Sequence, residues 1–102
     1  MKKVFISQPM NGLTDDQIRA DREAIFKQIE DSKIGDFEVI KSFIVNIGPV
    51  VNKPVAYLGK SISCLADADL AVFGKGWENA RGCQIEHAVC IAYNIPIIEI
   101  GV

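Results

Sequence analysis

The chain has 102 residues, 49% of them hydrophobic and 24% charged, with a formal net charge of −2. This suits one globular domain and excludes a disordered chain or a basic surface for a nucleic-acid polymer. No apolar run approaches the ~20 residues of a membrane span, and Val4-Phe5-Ile6 meets Ser7-Gln8-Pro9 far too soon for a signal-peptide core.

In chain order, residues 4–7 (VFIS) form a short β-branched and aromatic run that predicts a buried strand, ending in the segment SQPMNG. Thr14 opens T-D-D-Q, a capping box with Gln17, and Ile18, Ile25 and Ile29 recur at helical spacing, which predicts an amphipathic helix over residues 15–31. Gly35 and Asp36 end that unit, and residues 37–43 (FEVIKSF) predict a second strand. Gly48, Pro49 and Pro54 mark residues 44–54 as a loop. Residues 55–67 read as a helix with Leu58, Ile62 and Leu65 on one face, and residues 68–73 (ADLAVF) as a compact strand. A loop with Gly74, Gly76 and Asn79 leads to a helix over residues 80–94, and Pro96 begins a last strand over residues 96–100.

The order β-α-β-α-β-α-β, with strands apolar along their whole length, predicts an open, doubly wound α/β sandwich. It would be a single domain over residues 1–102 with a parallel sheet of four or five strands. Such sheets bind ligands at the carboxyl ends of their strands. Three segments converge there: SQPMNG, the loop after Phe43, and GKGWENARG.

The last helix carries a carboxylate. At about 100° per residue, Ile85, Ala88, Val89 and Ala92 form a stripe expected to face the sheet, with Glu86 about a quarter-turn from its centre. Glu86 is then either a solvated surface charge or a half-buried carboxylate at the ligand-binding rim. Cys83, His87, Cys90 and Asn94 fall on the opposite stripe. A closed zinc site takes four ligands, usually from several elements, and the chain has no other histidine; a subunit contact or a semi-exposed face is the better expectation. The three cysteines, Cys64, Cys83 and Cys90, read as reduced thiols of a cytoplasmic protein.

No dinucleotide fingerprint, Walker loop or serine-hydrolase elbow is present. Asp67 and Asp69 flank the start of the third strand, where Asp69 is either a capping residue or part of a site. Arg81 at a helix start, with the backbone N–H groups there, suggests an anion cradle or a solvated arginine. Trp77 suits either stacking on a nucleobase or sugar, or a lid packed on Pro9 or Met10.

The strand running into SQPMNG resembles the sugar- and phosphate-facing loop of the nucleoside 2-deoxyribosyltransferase superfamily. ADLAVF, a glycine-bearing loop and GCQIEHAVCIA resemble its catalytic region, and GWENARGCQIEH is most similar to a compact bacterial and phage-type branch. The resemblance implies a flavodoxin-like three-layer sandwich. It implies cleavage of the N-glycosidic bond of a 2′-deoxynucleoside or its 5′-monophosphate, with no metal or organic cofactor.

Glu86 would be the nucleophile, attacking C1′ of the deoxyribose, and Asp69 a site-shaping catalytic residue. Ser7, Gln8, Met10, Asn11 and Gly12 would line the sugar pocket. Trp77, Asn79 and Gly82 would contact substrate, with Arg81 near a 5′-phosphate. Ser61 stands where the family carries a sugar-binding aspartate, so a non-catalytic nucleotide-binding sensor of the same fold is the alternative. A homodimer or larger homo-oligomer is implied, since family members commonly complete their pockets from a neighbouring subunit.

Overall fold

The computed structural model describes residues 1–42 and 48–100. Four strands and three α-helices alternate: β1 (Lys2–Ser7), α1 (Asp15–Asp31), β2 (Phe37–Val39), α2 (Lys53–Leu65), β3 (Leu70–Phe73), α3 (Arg81–Ala92) and β4 (Ile97–Glu99), with a 3-10 turn at Trp77–Asn79 before α3. The strands pair in the order β2-β1-β3-β4, and every pairing is parallel. The protein is therefore a flavodoxin-like three-layer α/β sandwich with a four-stranded sheet.

Strand alternation assigns each layer. Val4 and Ile6 of β1 join Leu70 and Val72 of β3 against Ile25 and Ile29 of α1. Phe5, Ala71 and Phe73 point the other way, against Leu65 of α2 and Cys83 and Cys90 of α3. Both central strands are buried on both faces, which is why they read as unbroken apolar runs.

α1 starts where the sequence predicts. The Thr14 hydroxyl accepts from Gln17 N at 3.1 Å, and the Gln17 side chain accepts from Thr14 N at 2.9 Å. α2 starts earlier than expected: Asn52 caps it by accepting from Val55 N at 3.1 Å, and Pro54 lies in its first turn. A proline there interrupts nothing, because first-turn N–H groups have no intrahelical acceptor. The second strand is shorter than expected, three residues of ladder from Phe37 to Val39. Ile40 N still donates to Val4 O at 2.8 Å. The expected strand end at Phe43 and the loop residues 44–47 lie outside the described residues.

The chain leaves β1 toward β2 on one side and returns to β3 on the other, so the switch point lies between β1 and β3. At their carboxyl ends Gly74 N donates to Ser7 O at 2.8 Å. Gly74 lies under α1, where an added Cβ would stand 2.8 Å from Ile25 Cδ1. Among the described residues, no helix is long and apolar enough to cross a membrane.

Two substitutions separate capping from core packing. Thr14→Ala removes one side of the capping box and should lower unfolding free energy by about 1 kcal/mol. Phe5→Ala empties a site that is 1% exposed and should cost about 3–5 kcal/mol. Urea unfolding with an unchanged slope measures both.

Candidate active site

The last residues of β1 decide what reaches the switch point. Ser7 continues the face of Phe5 and points at α3, whereas Gln8 points at α1. The Gln8 side chain donates to Ile18 O at 3.1 Å and accepts from Arg22 Nη1 at 3.0 Å. Both Ser7 and Gln8 are buried.

α3 presents a different face to the sheet from the one its aliphatic residues predict. Cys83, Glu86 and Cys90 are its buried residues, whereas Ile85 is 38% exposed and Ala88 and Ala92 are exposed. The reason is that thiols pack as small hydrophobes and rank among the most buried side chains. The two cysteines set the phase of the helix, and Glu86 comes with them. The carboxylate is thus inside the buried face, 7% exposed, and not a solvated surface charge.

Ser7 Oγ donates to Glu86 Oε1 at 2.6 Å, a bond joining residues 79 positions apart. That length is typical of a hydroxyl bonded to an ionised oxygen. Burial pushes the Glu86 carboxyl above the ordinary glutamate range, and the Ser7 hydroxyl opposes this by stabilising the charged form. Burial also raises the Cys83 thiol, the Ser7 hydroxyl lowers it, and the Glu86 charge raises it again. The Cys90 thiol is pushed up to about 11, by burial first and then by Glu86. Burial thus holds protons more firmly on both thiols and on the carboxyl, and the Ser7 hydroxyl is the group that favours the charged carboxylate.

The loop before α3 forms one wall. The Trp77 ring stacks on His87 at 4.0 Å with an interplanar angle of 10°, and its centroid lies 5.6 Å from that of Phe73. An added Cβ on Gly76 would stand 3.6 Å from Pro9 Cγ, so this loop meets the segment after β1. Gly76 has φ 85°, a left-handed conformation that favours glycine. Trp77 therefore offers a ring already stacked on one face. Asn79, Arg81 and Gly82 are exposed around the start of α3. Ala80, the N-cap, makes no side-chain capping bond, which fits an anion cradle of first-turn N–H groups.

Other expected residues fall elsewhere. Met10, Asn11 and Gly12 form an exposed turn, closed by Leu13 N donating to Met10 O at 3.1 Å, with Gly12 at φ 81°. Ser61 is half-buried in α2. Asp69 is not brought to Glu86. It accepts from Lys3 N at 2.8 Å and its own N–H donates to Lys3 O at 2.8 Å, a clasp at the amino end of the β1–β3 pair. The Ser7 end lies four residues further along, roughly 13 Å at strand rise. A residue that opens a strand stands at the edge opposite a site built on carboxyl ends. His87 and Glu99 are the site neighbours that the sequence reading missed. Among the described residues, no three His, Cys, Asp or Glu side chains cluster as metal ligands would.

A family profile described as a domain of unknown function, DUF4406, matches residues 2–99, and the chain belongs to that family. No curated protein and no solved structure matches the chain.

The raised carboxyl of Glu86 fixes the sign of a stability test. A folded-state value above the unfolded one means that the native state holds the proton more tightly. The stability this provides is complete below the unfolded value, near 4.3, and is lost as pH rises through the folded value. Glu86→Gln keeps an acceptor for Ser7 and removes the charge, so it should raise Tm by a few degrees at pH 8 and by less at pH 4. Ser7→Ala leaves the carboxylate without this donor and should cost about 1–3 kcal/mol at pH 8. Thermal unfolding of the three proteins at both pH values measures this.

Proposed function

We propose that this protein is a nucleoside 2-deoxyribosyltransferase-like N-glycosidase. It would act on a 2′-deoxynucleoside or its 5′-monophosphate with Glu86 as nucleophile. The observation that carries the reading is the Ser7–Glu86 pair, a buried carboxylate held at the carboxyl ends of the two central strands. Its position at the switch point is where doubly wound sheets take ligands.

In this reading the Glu86 oxygen not held by Ser7 bonds to C1′ as the C1′–N bond breaks. The bonding pair leaves on the nucleobase, whose nitrogen then takes a proton. Attack by water or by a second base at C1′ releases the glutamate and restores it. Charge develops on the sugar ring in the transition state, and a carboxylate in dry surroundings stabilises it more strongly than one in water. Splitting the displacement in two lowers each barrier. Arg81 and the uncapped start of α3 suit a 5′-phosphate. The reaction calls on no metal or organic cofactor.

The proposal extends to assembly and location. A homodimer or larger homo-oligomer in the cytoplasm fits the exposed Val55 and Tyr57 on α2 and Ile91 on α3, with Tyr93 just beyond it. The cysteine stripe of α3 is no subunit contact, because Cys83 and Cys90 are buried against the sheet. Leu65 is the buried residue of α2, which leaves that helix as the contact candidate.

One feature favours a sensor that binds deoxynucleotide without turnover. Ser61 and the distant Asp69 leave Glu86 without the second carboxylate that the resemblance implies. The deciding experiment is incubation with deoxynucleosides and their 5′-monophosphates, with and without an acceptor base, read by chromatography. Base release should fall at least about 10³-fold in Glu86→Gln and about 10- to 100-fold in Ser7→Ala. Undiminished release by Glu86→Gln would refute the nucleophile. Thermal stabilisation by a deoxynucleotide without any release would select the sensor.

A further inference from the structure

The chain has one tryptophan and one histidine, and the fold stacks them. His87 lies 4.0 Å from Trp77 at 10°, and its ring meets Phe73 edge-on at 4.9 Å and 68°. His87 Nε2 lies 3.8 Å from Glu99 Oε2 at the carboxyl end of β4. Three segments thus meet on one imidazole: the Trp77–Asn79 turn, the end of β3 and the end of β4. The His87 side chain is 20% exposed, open enough to exchange a proton with solvent and enclosed enough for its charge to be felt.

We propose that His87 is a proton-operated latch that fastens the Trp77 loop to the sheet beside Glu86. Neutral imidazole holds Trp77 by ring stacking alone. Imidazolium adds attraction to the π face of the indole and to the Glu99 carboxylate. Gain of a proton by the ring therefore tightens the latch, and its loss slackens it.

The groups around the ring agree with this assignment. Phe73 of β3 and Trp77 of the turn carry no charge, Glu78 of that turn and Arg81 at the start of α3 are exposed, and Glu99 is the carboxylate from β4. On α3 itself, Glu86 precedes His87 with its carboxylate bonded to Ser7, while burial raises the Cys83 and Cys90 thiols, at i−4 and i+3. The latched turn carries two hydrogen bonds that report its closure, Asn79 N to Gly76 O and Ala80 N to Trp77 O, each 3.1 Å. The latch stands on this geometry and does not depend on the glycosidase reading.

The single tryptophan makes the test direct, since imidazolium quenches a stacked indole more strongly than imidazole does. Emission of the intact protein should fall by about half from pH 8 to pH 5 in one transition. That transition should vanish in His87→Gln and persist in Glu99→Gln, which loses the carboxylate but keeps the ring stack. Hydrogen exchange at Asn79 and Ala80, corrected for intrinsic rates, should be at least about three-fold more protected at pH 5.5 than at pH 8 in the wild type. That gain should be absent in His87→Gln. Flat emission in the wild type, a transition surviving in His87→Gln, its loss in Glu99→Gln, or protection that ignores pH would each overturn the latch.

Discussion

The hydrogen bond from Ser7 to Glu86 is the constraint on which the rest of the site depends. A carboxylate removed from water must find a donor or give up its charge. The donor here is a hydroxyl at the end of β1, a strand fixed on both sides by parallel ladders to β2 and β3. α3 is docked by what surrounds that bond: two thiols, Val89 and the edge of His87, with no large aliphatic residue at its centre. α3 is therefore seated partly by a polar contact, and its orientation is tied to Glu86.

This arrangement costs stability, since a glutamine would satisfy Ser7 without a desolvated charge. Keeping the acid raises its affinity for protons and, when ionised, leaves it less solvated and more responsive to a positive centre brought close. The same burial that raises Glu86 raises the flanking Cys83 and Cys90, so they fill space as small apolar groups.

The parts of the fold legible in sequence are those where a single local force decides. Thr14 and Gln17 close a capping box whatever the tertiary setting, and Ile18, Ile25 and Ile29 have no rival stripe on α1. The unbroken apolar runs of β1 and β3 can only be central parallel strands. Sequence is ambiguous where two forces compete. On α3 the aliphatic stripe and the cysteine stripe offer different phases, and counting thiols as weakly polar selects the wrong one. Pro54 reads as a loop marker until Asn52 is recognised as a cap placing it in a first turn. Asp69 was assigned a chemical role by resemblance, but its place as the residue opening β3 already sets it at the sheet's other edge. The resemblance pointed to Glu86 through its sequence neighbours; only the burial of Cys83 and Cys90 explains physically why that glutamate turns inward.

The end of β1 also explains why the site belongs to all three layers and not to α3 alone. Ser7, the last residue of β1, is bonded to α3, while Gln8, the residue after it, is bonded to α1 through Ile18 and Arg22. A shift of α1 along the sheet would pull on Gln8 and, through one peptide unit, on the hydroxyl that positions Glu86. Gly74 adds a second tie, since its lack of a side chain lets Ile25 of α1 close over the point where β3 gives way to the Trp77 loop. α1 thus bears on both strand exits from which the site is built, through Gln8 and through Ile25 over Gly74. Substitutions on its buried face should accordingly be judged by the geometry at Ser7 as well as by the volume they leave behind.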